Sequence, residues 1–279
     1  TKIDGNGAKW QYRYNRYNDL EWETDPLGNQ QNYSHDEWGN LITSTDPGGG
    51  FTSTEYYNPK FPLLPTEAMD AGGGKWKWEY DENGNLIERV NPLGAKTKYS
   101  YEDGLLKKIM NAAEAVTKLD YDRQQNLTAI QTDDGATTEY DYDDLGNCKR
   151  ITNPNGVIQR RLFDLKGRIE KVNDFDGNII DLEYDGIDNI ILYRDKQKEV
   201  KYTYRGLWKL TSRAEAGAAI VFKYDTEEQL KKVVNEQGSA YRFELDAAGN
   251  VIEEIGFDDI TRRYERNPAG WVTKIKRPA

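Results

Sequence analysis

One feature constrains the fold of this chain more than any other: the sequence repeats itself about every 21 residues from end to end. Bulky residues mark the period at Tyr14, His35, Tyr57, Tyr80, Tyr101, Tyr121, Tyr142, Phe163, Tyr184, Tyr204, Tyr224, Leu245 and Arg266, in steps of 20 to 23 residues. Ten of these thirteen anchors are aromatic and eight are followed directly by Asp, a regularity that chance does not produce. A chain built this way is an array of like units, each of which must bury its surface against its neighbours.

The residues within one unit read as two short strands and two turns. A second bulky residue stands two positions before most anchors, as in Tyr12, Tyr33, Trp78, Tyr99, Tyr140, Tyr202, Phe222, Phe243 and Tyr264. A spacing of two places both side chains on one face of a strand. Glycine follows four residues past the anchor at Gly39, Gly84, Gly146, Gly167 and Gly249, which is hairpin chemistry after Asp. The second strand opens six residues past the anchor with an aliphatic residue such as Leu20, Leu41, Leu63, Leu86, Leu127, Ile169 or Leu230. It closes at turns of the form Asp25-Pro26-Leu27-Gly28, Asn91-Pro92-Leu93-Gly94 and Asn153-Pro154-Asn155-Gly156, whose residue order suits a type I turn. Apolar residues also recur nine past the anchor (Ile130, Ile151, Val172, Val233, Ile275), and a gap of three is not strand alternation. A bulge, or a sheet apolar on both faces, accounts for that gap; a helix does not, because the segments between turns are too short.

Thirteen such units predict about twenty-six strands in one antiparallel sheet that coils, with aromatic anchors stacked as cross-strand ladders. The expected organisation is a single array over residues 1–279, lengthened locally at Phe61-Pro62-Leu63-Leu64-Pro65. Composition agrees. Hydrophobic residues are only 37%, too few for one deep core, while 19 Tyr, 7 Trp and 7 Phe argue against disorder. The net charge of −10, with no basic cluster, speaks against nucleic acid as a partner. No apolar run approaches the length of a membrane span, and Thr1–Gly5 does not read as a signal peptide.

The segment Tyr80-Asp81-Glu82-Asn83-Gly84-Asn85-Leu86, with Asn91-Pro92-Leu93-Gly94 behind it, resembles the YD repeat of the RHS family, as do the stretches from Asp36 to Gly49 and from Tyr142 to Gly156. The resemblance covers essentially the whole chain. It implies an all-β, spiral antiparallel sheet that winds into a hollow shell. In bacterial RHS effectors and insecticidal toxin complexes such a shell encloses a C-terminal toxin; similar repeats occur in wall-associated proteins and teneurins. Arg277-Pro278-Ala279 does not carry the autoproteolytic segment that usually closes the shell, and neither a toxin-like region nor a glycine-rich spike is present. The chain is therefore expected to be an internal segment of a longer polypeptide.

Residues that carry chemistry elsewhere read here as architecture. His35, the only histidine, occupies an anchor position with nothing resembling a nucleophile elbow beside it. Cys148, the only cysteine, fills a slot that holds Leu or Ile in most other units. The acidic turns at Asp81 and Asp174 have Gly in the fourth place and no Glu in the twelfth, unlike a calcium-binding EF-hand loop. Carboxylates recur with the period, which marks them as turn residues and not as a glycosidase pair. The expectation is no catalytic, cofactor-binding or metal-binding residue. The anchors from Tyr14 to Tyr224 and the turn glycines Gly28, Gly39, Gly84, Gly94, Gly146, Gly156, Gly167 and Gly249 serve as structural positions.

The expected function is a wall segment of an RHS shell that sequesters a toxin. Its partners are the rest of its own chain with that cargo and, beyond it, secretion-system components. The producer's cytoplasm precedes export and delivery to a target cell. The alternative is a cell-surface adhesion or glycan-binding module, for which Trp10, Trp22, Trp76, Trp78, Trp208 and Trp271 offer stacking surfaces. Basic residues near each end (Lys9, Arg13, Arg16; Lys274, Lys276, Arg277) are expected to discourage pairing of outer strands at Thr1 and Ala279.

Overall fold

A computed structural model describes residues 1–277; the expectation placed on Ala279 lies outside the described residues. Every regular element among them is a β-strand. Twenty-seven strands, mostly five to seven residues long, belong to one sheet. The registered neighbours pair antiparallel in chain order. The chain divides into two compact parts. The first comprises Thr1–Lys2, Lys9–Asp141 and Thr152–Asn155; the second comprises Ile3–Ala8, Tyr142–Ile151 and everything from Gly156 onward.

In the first part the hairpin Lys9–Tyr14/Leu20–Thr24 shows how a unit is made. Tyr14 pairs with Leu20, yet Arg13 pairs with Trp22, so Glu21 has no opposite number. The same shift occurs at His35, Tyr80, Tyr101 and Tyr121. This bulge resolves the three-residue gap in the apolar pattern. At Tyr121↔Leu127 and Leu119↔Ile130 one residue is bulged out between the pairs, so Leu127 and Ile130 share a face.

The irregular unit departs from its expected layout. Phe51 opens its strand opposite Thr45 as Gln30 does opposite Thr24, so the position equivalent to His35 is Tyr56. Tyr57 lies beyond the strand Phe51–Glu55 and is exposed. Leu63, expected to open the next strand, is likewise exposed in a loop, and that strand begins only at Glu67. Two adjacent tyrosines allow either register in the sequence, and the prolines at 62 and 65 keep strand pairing from resuming early. The loop is anchored instead by Phe61, which packs under the turn at Gly84, and by Thr66 N–H donating to Glu55 O at 2.7 Å.

The second part repeats the arrangement, with bulges at Phe163, Tyr184, Tyr204, Tyr224, Leu245 and Arg266. The Ala-rich segment around 213–219 is two strands, Lys209–Glu215 and Ala218–Tyr224, joined at Ala216 and Gly217. A deep core is missing. Among the described residues the buried apolar side chains are Leu192 and Val200, and most others that face the sheet are half-buried. A single layer of strands has nothing behind it to bury them.

Candidate functional site: the joint between repeat units

The most elaborate side-chain chemistry lies where one unit meets the next, and it starts with the turn. At Asp81 the backbone forms a type I turn, with Gly84 N–H donating to Asp81 O at 3.1 Å and Asp81 N–H donating to Asn85 O at 2.9 Å. Gly84 holds φ at +86°, where a side chain is strained. The carboxylate closes the loop: Oδ1 accepts the amides of Asn83 and Asn85, and Oδ2 accepts Asn85 Nδ2 at 2.9 Å. Asp36, Asp122, Asp143 and Asp185 make the same set of bonds. The Asn side chain holds the Asp81, Asp122, Asp143 and Asp185 carboxyls below their ordinary value, and Arg168 does so for Asp164. Oxygens committed to their own turn in this way are poorly placed to ligate a cation, and among the described residues no cluster of His, Cys, Asp and Glu could hold a metal. Gly28, Gly39, Gly94, Gly146, Gly156, Gly167 and Gly249 all stand at positive φ, between +77° and +86°.

The anchors do not stack ring on ring. Successive anchors are separated by two strands, roughly 9–10 Å, beyond the 4.5–7 Å at which rings interact. The ring pairs among the described residues are Tyr241–Phe243 and Tyr241–Phe257. What the anchor supplies is a hydrogen bond across the joint. Tyr184 Oη donates at 2.8 Å to the carbonyl of Ile169, the residue that opens the second strand of the preceding unit. Tyr80, Tyr121, Tyr204 and Tyr224 do the same to Pro65, Leu106, Ile190 and Leu210. Arg266 takes over this role without an aromatic ring, donating from Nη2 to Val251 O at 3.0 Å. The sequence marks Arg266 by its spacing alone, and only the shared acceptor reveals what it has in common with tyrosine.

Turns of successive units are also tied together. Asn189 and Asn40 each donate a second Nδ2 bond to the next unit, to Leu207 O at 2.9 Å and to Pro62 O at 2.8 Å. Arg168 is the most connected residue of these joints. Its guanidinium pairs with Asp164 and Asp188 at 2.6 Å each and lies 4.4 Å over the Tyr184 ring. The recurrent Gly-Asn of the sequence is the signal that could have exposed this bridging role for asparagine.

His35 ends its strand half-buried, paired with Leu41. Ser34 hydrogen-bonds Thr43 and, as the preceding strand residue, points to the opposite face. Cys148 opens the strand Cys148–Thr152 half-buried, its thiol 3.6 Å from Arg150 O. Trp208 and Trp271 are exposed, whereas Trp10, Trp22, Trp76 and Trp78 are half-buried in strands.

Comparison with known proteins agrees with this geometry. The RHS Repeat family matches residues 19–50, 80–117 and 121–158. This chain is an RHS-repeat protein. A probable deoxyribonuclease, RhsB of Dickeya dadantii, is 26% identical over 282 residues, covering 90% of the RHS-repeat chain and 19% of the relative. Among solved structures, TcdB2-TccC3-Cdc42 matches 96% of the chain with a TM-score of 0.62 at 14% identity, over 19% of its own length. The Photorhabdus luminescens Tc holotoxin pore matches with a TM-score of 0.56 at 13% identity, over 96% of this chain and 17% of its own. At such identities the likeness concerns the fold, an all-β antiparallel repeat sheet shared with Tc toxin proteins. The chain spans about a fifth of the length of these relatives. None of them supports carbohydrate binding by the repeats.

Proposed function

We propose that this RHS-repeat array is a stretch of wall in a longer polypeptide, enclosing a C-terminal toxin made in the producer and delivered to another cell. One observation carries the reading: the sheet is a single layer without a deep core, with only Leu192 and Val200 as buried apolar residues among those described. A compact enzyme of this size buries many such residues. A wall does not need to, because its task is a continuous strand ladder that satisfies its own backbone groups and blocks passage. Residues 1–279 act as one array in this scheme, and catalysis belongs to the cargo. The anchors and turn glycines keep neighbouring units in contact. The nuclease name of the RhsB relative and the toxin names of the structural relatives support a toxic cargo.

The test is limited proteolysis of the full-length parent polypeptide. The C-terminal domain is expected to resist protease while the wall is intact. It should become cleavable once the wall is opened by site-specific cleavage engineered at an exposed turn such as Leu93-Gly94. A C-terminal domain equally accessible before and after opening would refute containment.

A further inference from the structure

The two kinds of turn lie along opposite rims of the sheet, since one follows each first strand and the other each second strand. In one place the structure brings them together. The turn Asp4–Ala8 leads into a first strand and so belongs to the second-turn rim; it sits on the first turn Asp246–Asn250. Asn6 Nδ2 donates to Asp246 Oδ2 at 2.8 Å across 240 residues of chain. A Cβ on Gly5 would stand 1.9 Å from the carbonyl oxygen of Ala247, so the backbones touch.

Elsewhere in the second part the first-turn rim carries exposed apolar tips. Leu145 is 80% exposed and Leu165 fully so, and Ile187 and Leu207 are also exposed. These tips recur once per unit, roughly 9–10 Å apart, as a row and not as scattered single residues. Leu165 stands two residues past its anchor, the place that Ala247 holds beneath Gly5. On the opposite rim, Leu27 and Leu93 hold the third place of their turns, which is the place of Asn6; Leu93 is 93% exposed. Pro26 and Pro92 stand where Gly5 stands and prevent backbone contact, so the longer leucine side chains must span the wider gap.

We infer that a second copy of this chain docks its Leu27 and Leu93 rim on the row of Leu145, Leu165, Ile187 and Leu207. The contact continues between molecules the seating of one rim on the other that Asp4–Ala8 and Asp246–Asn250 make within one. It joins unlike surfaces, so it is heterologous and open-ended: each copy keeps one free rim of each kind. It does not depend on whether the array encloses a cargo.

Sedimentation velocity over a concentration series tests the inference, with circular dichroism to show that each variant keeps its strands. The wild-type chain is expected to rise above the monomer mass with concentration. The variant Leu145→Asp with Leu165→Asp should stay monomeric, and so should Leu27→Asp with Leu93→Asp. Mixing these two variants should restore association but stop it at one-to-one dimers, because each retains one functional rim. A wild type that remains monomeric would overturn the inference and leave the row to a different occupant. Variants that still associate, or a mixture that stays monomeric, would overturn it as well.

Discussion

The turn chemistry can be tested by separating backbone strain from packing at three equivalent positions. Gly94 holds φ at +77° with nothing within 4 Å of the place where a Cβ would sit, so Gly94→Ala introduces strain alone. A left-handed conformation costs an L-residue about 1–2 kcal/mol. Loss of glycine's extra unfolded-state freedom returns about 0.5–1 kcal/mol, which leaves a net destabilisation of about 0.5–1.5 kcal/mol. Gly84→Ala meets the same backbone cost at φ +86°, and its Cβ would also lie 3.1 Å from Phe61 Cε1. Phe61 must then shift, and the cost should exceed that at Gly94. Gln125 occupies the corresponding slot after Tyr121 at φ +67°. Gln125→Gly should therefore stabilise, by about 0.5–1 kcal/mol. Because units in an array can open separately, a global melt blurs these differences. Native-state hydrogen exchange at the amides flanking each turn reads them locally. The reasoning fails if Gly94→Ala leaves local protection unchanged, or if Gln125→Gly lowers it.

Three further outcomes follow from the same joints. Tyr184→Phe removes the donor to Ile169 O and should lower protection between the two units by about 1 kcal/mol, while Arg266→Leu should loosen the last joint in the same way. The turn carboxyls at Asp25, Asp81, Asp122, Asp143, Asp164 and Asp185 all sit below their ordinary value, chiefly through the side-chain donor four residues on. Their stabilisation is in full above the unfolded carboxyl value of about 3.9 and is lost as pH falls through the lower folded values. An acid titration followed by circular dichroism should show cooperative loss of strand signal only below that value, and earlier loss in Asn85→Ala with Asn126→Ala. Burial and the hydrogen bond to Glu23 push the Tyr33 phenol up to about 12, so ultraviolet titration should show a phenol that ionises well after the unfolded value of about 10. The stability it contributes persists below that unfolded value and disappears as pH rises through about 12.

Period, strand pairing and turn type were readable in the sequence because each is written into a single unit. Asp, Gly and the aliphatic opener sit at fixed distances, and even the bulge showed as a gap of three between apolar positions. The ring ladder was misread for want of a length: the sequence gives the spacing of anchors along the chain but not the two strand widths that separate them. The Tyr56 and Tyr57 ambiguity persisted because either register preserves the period to within a residue. The contact of Asn6 with Asp246 left no trace in the sequence, since it joins turns 240 residues apart and uses residues common to every turn.

The self-closed turn has a consequence for how such a gene can change. Each Asp loop completes its hydrogen bonds with residues inside five consecutive positions, and each joint needs only one donor and one backbone carbonyl. Duplication or loss of a whole unit therefore rejoins the chain at an equivalent joint, with both faces still pointing the right way. An insertion of a single residue within a strand has no such refuge, because it turns every following side chain to the other face until a turn resets the register. Length in this array is free to vary in whole units while its internal phase is held fixed, and the eleven residues between Glu55 and Glu67 mark the kind of place, outside the strands, where a fractional addition is absorbed.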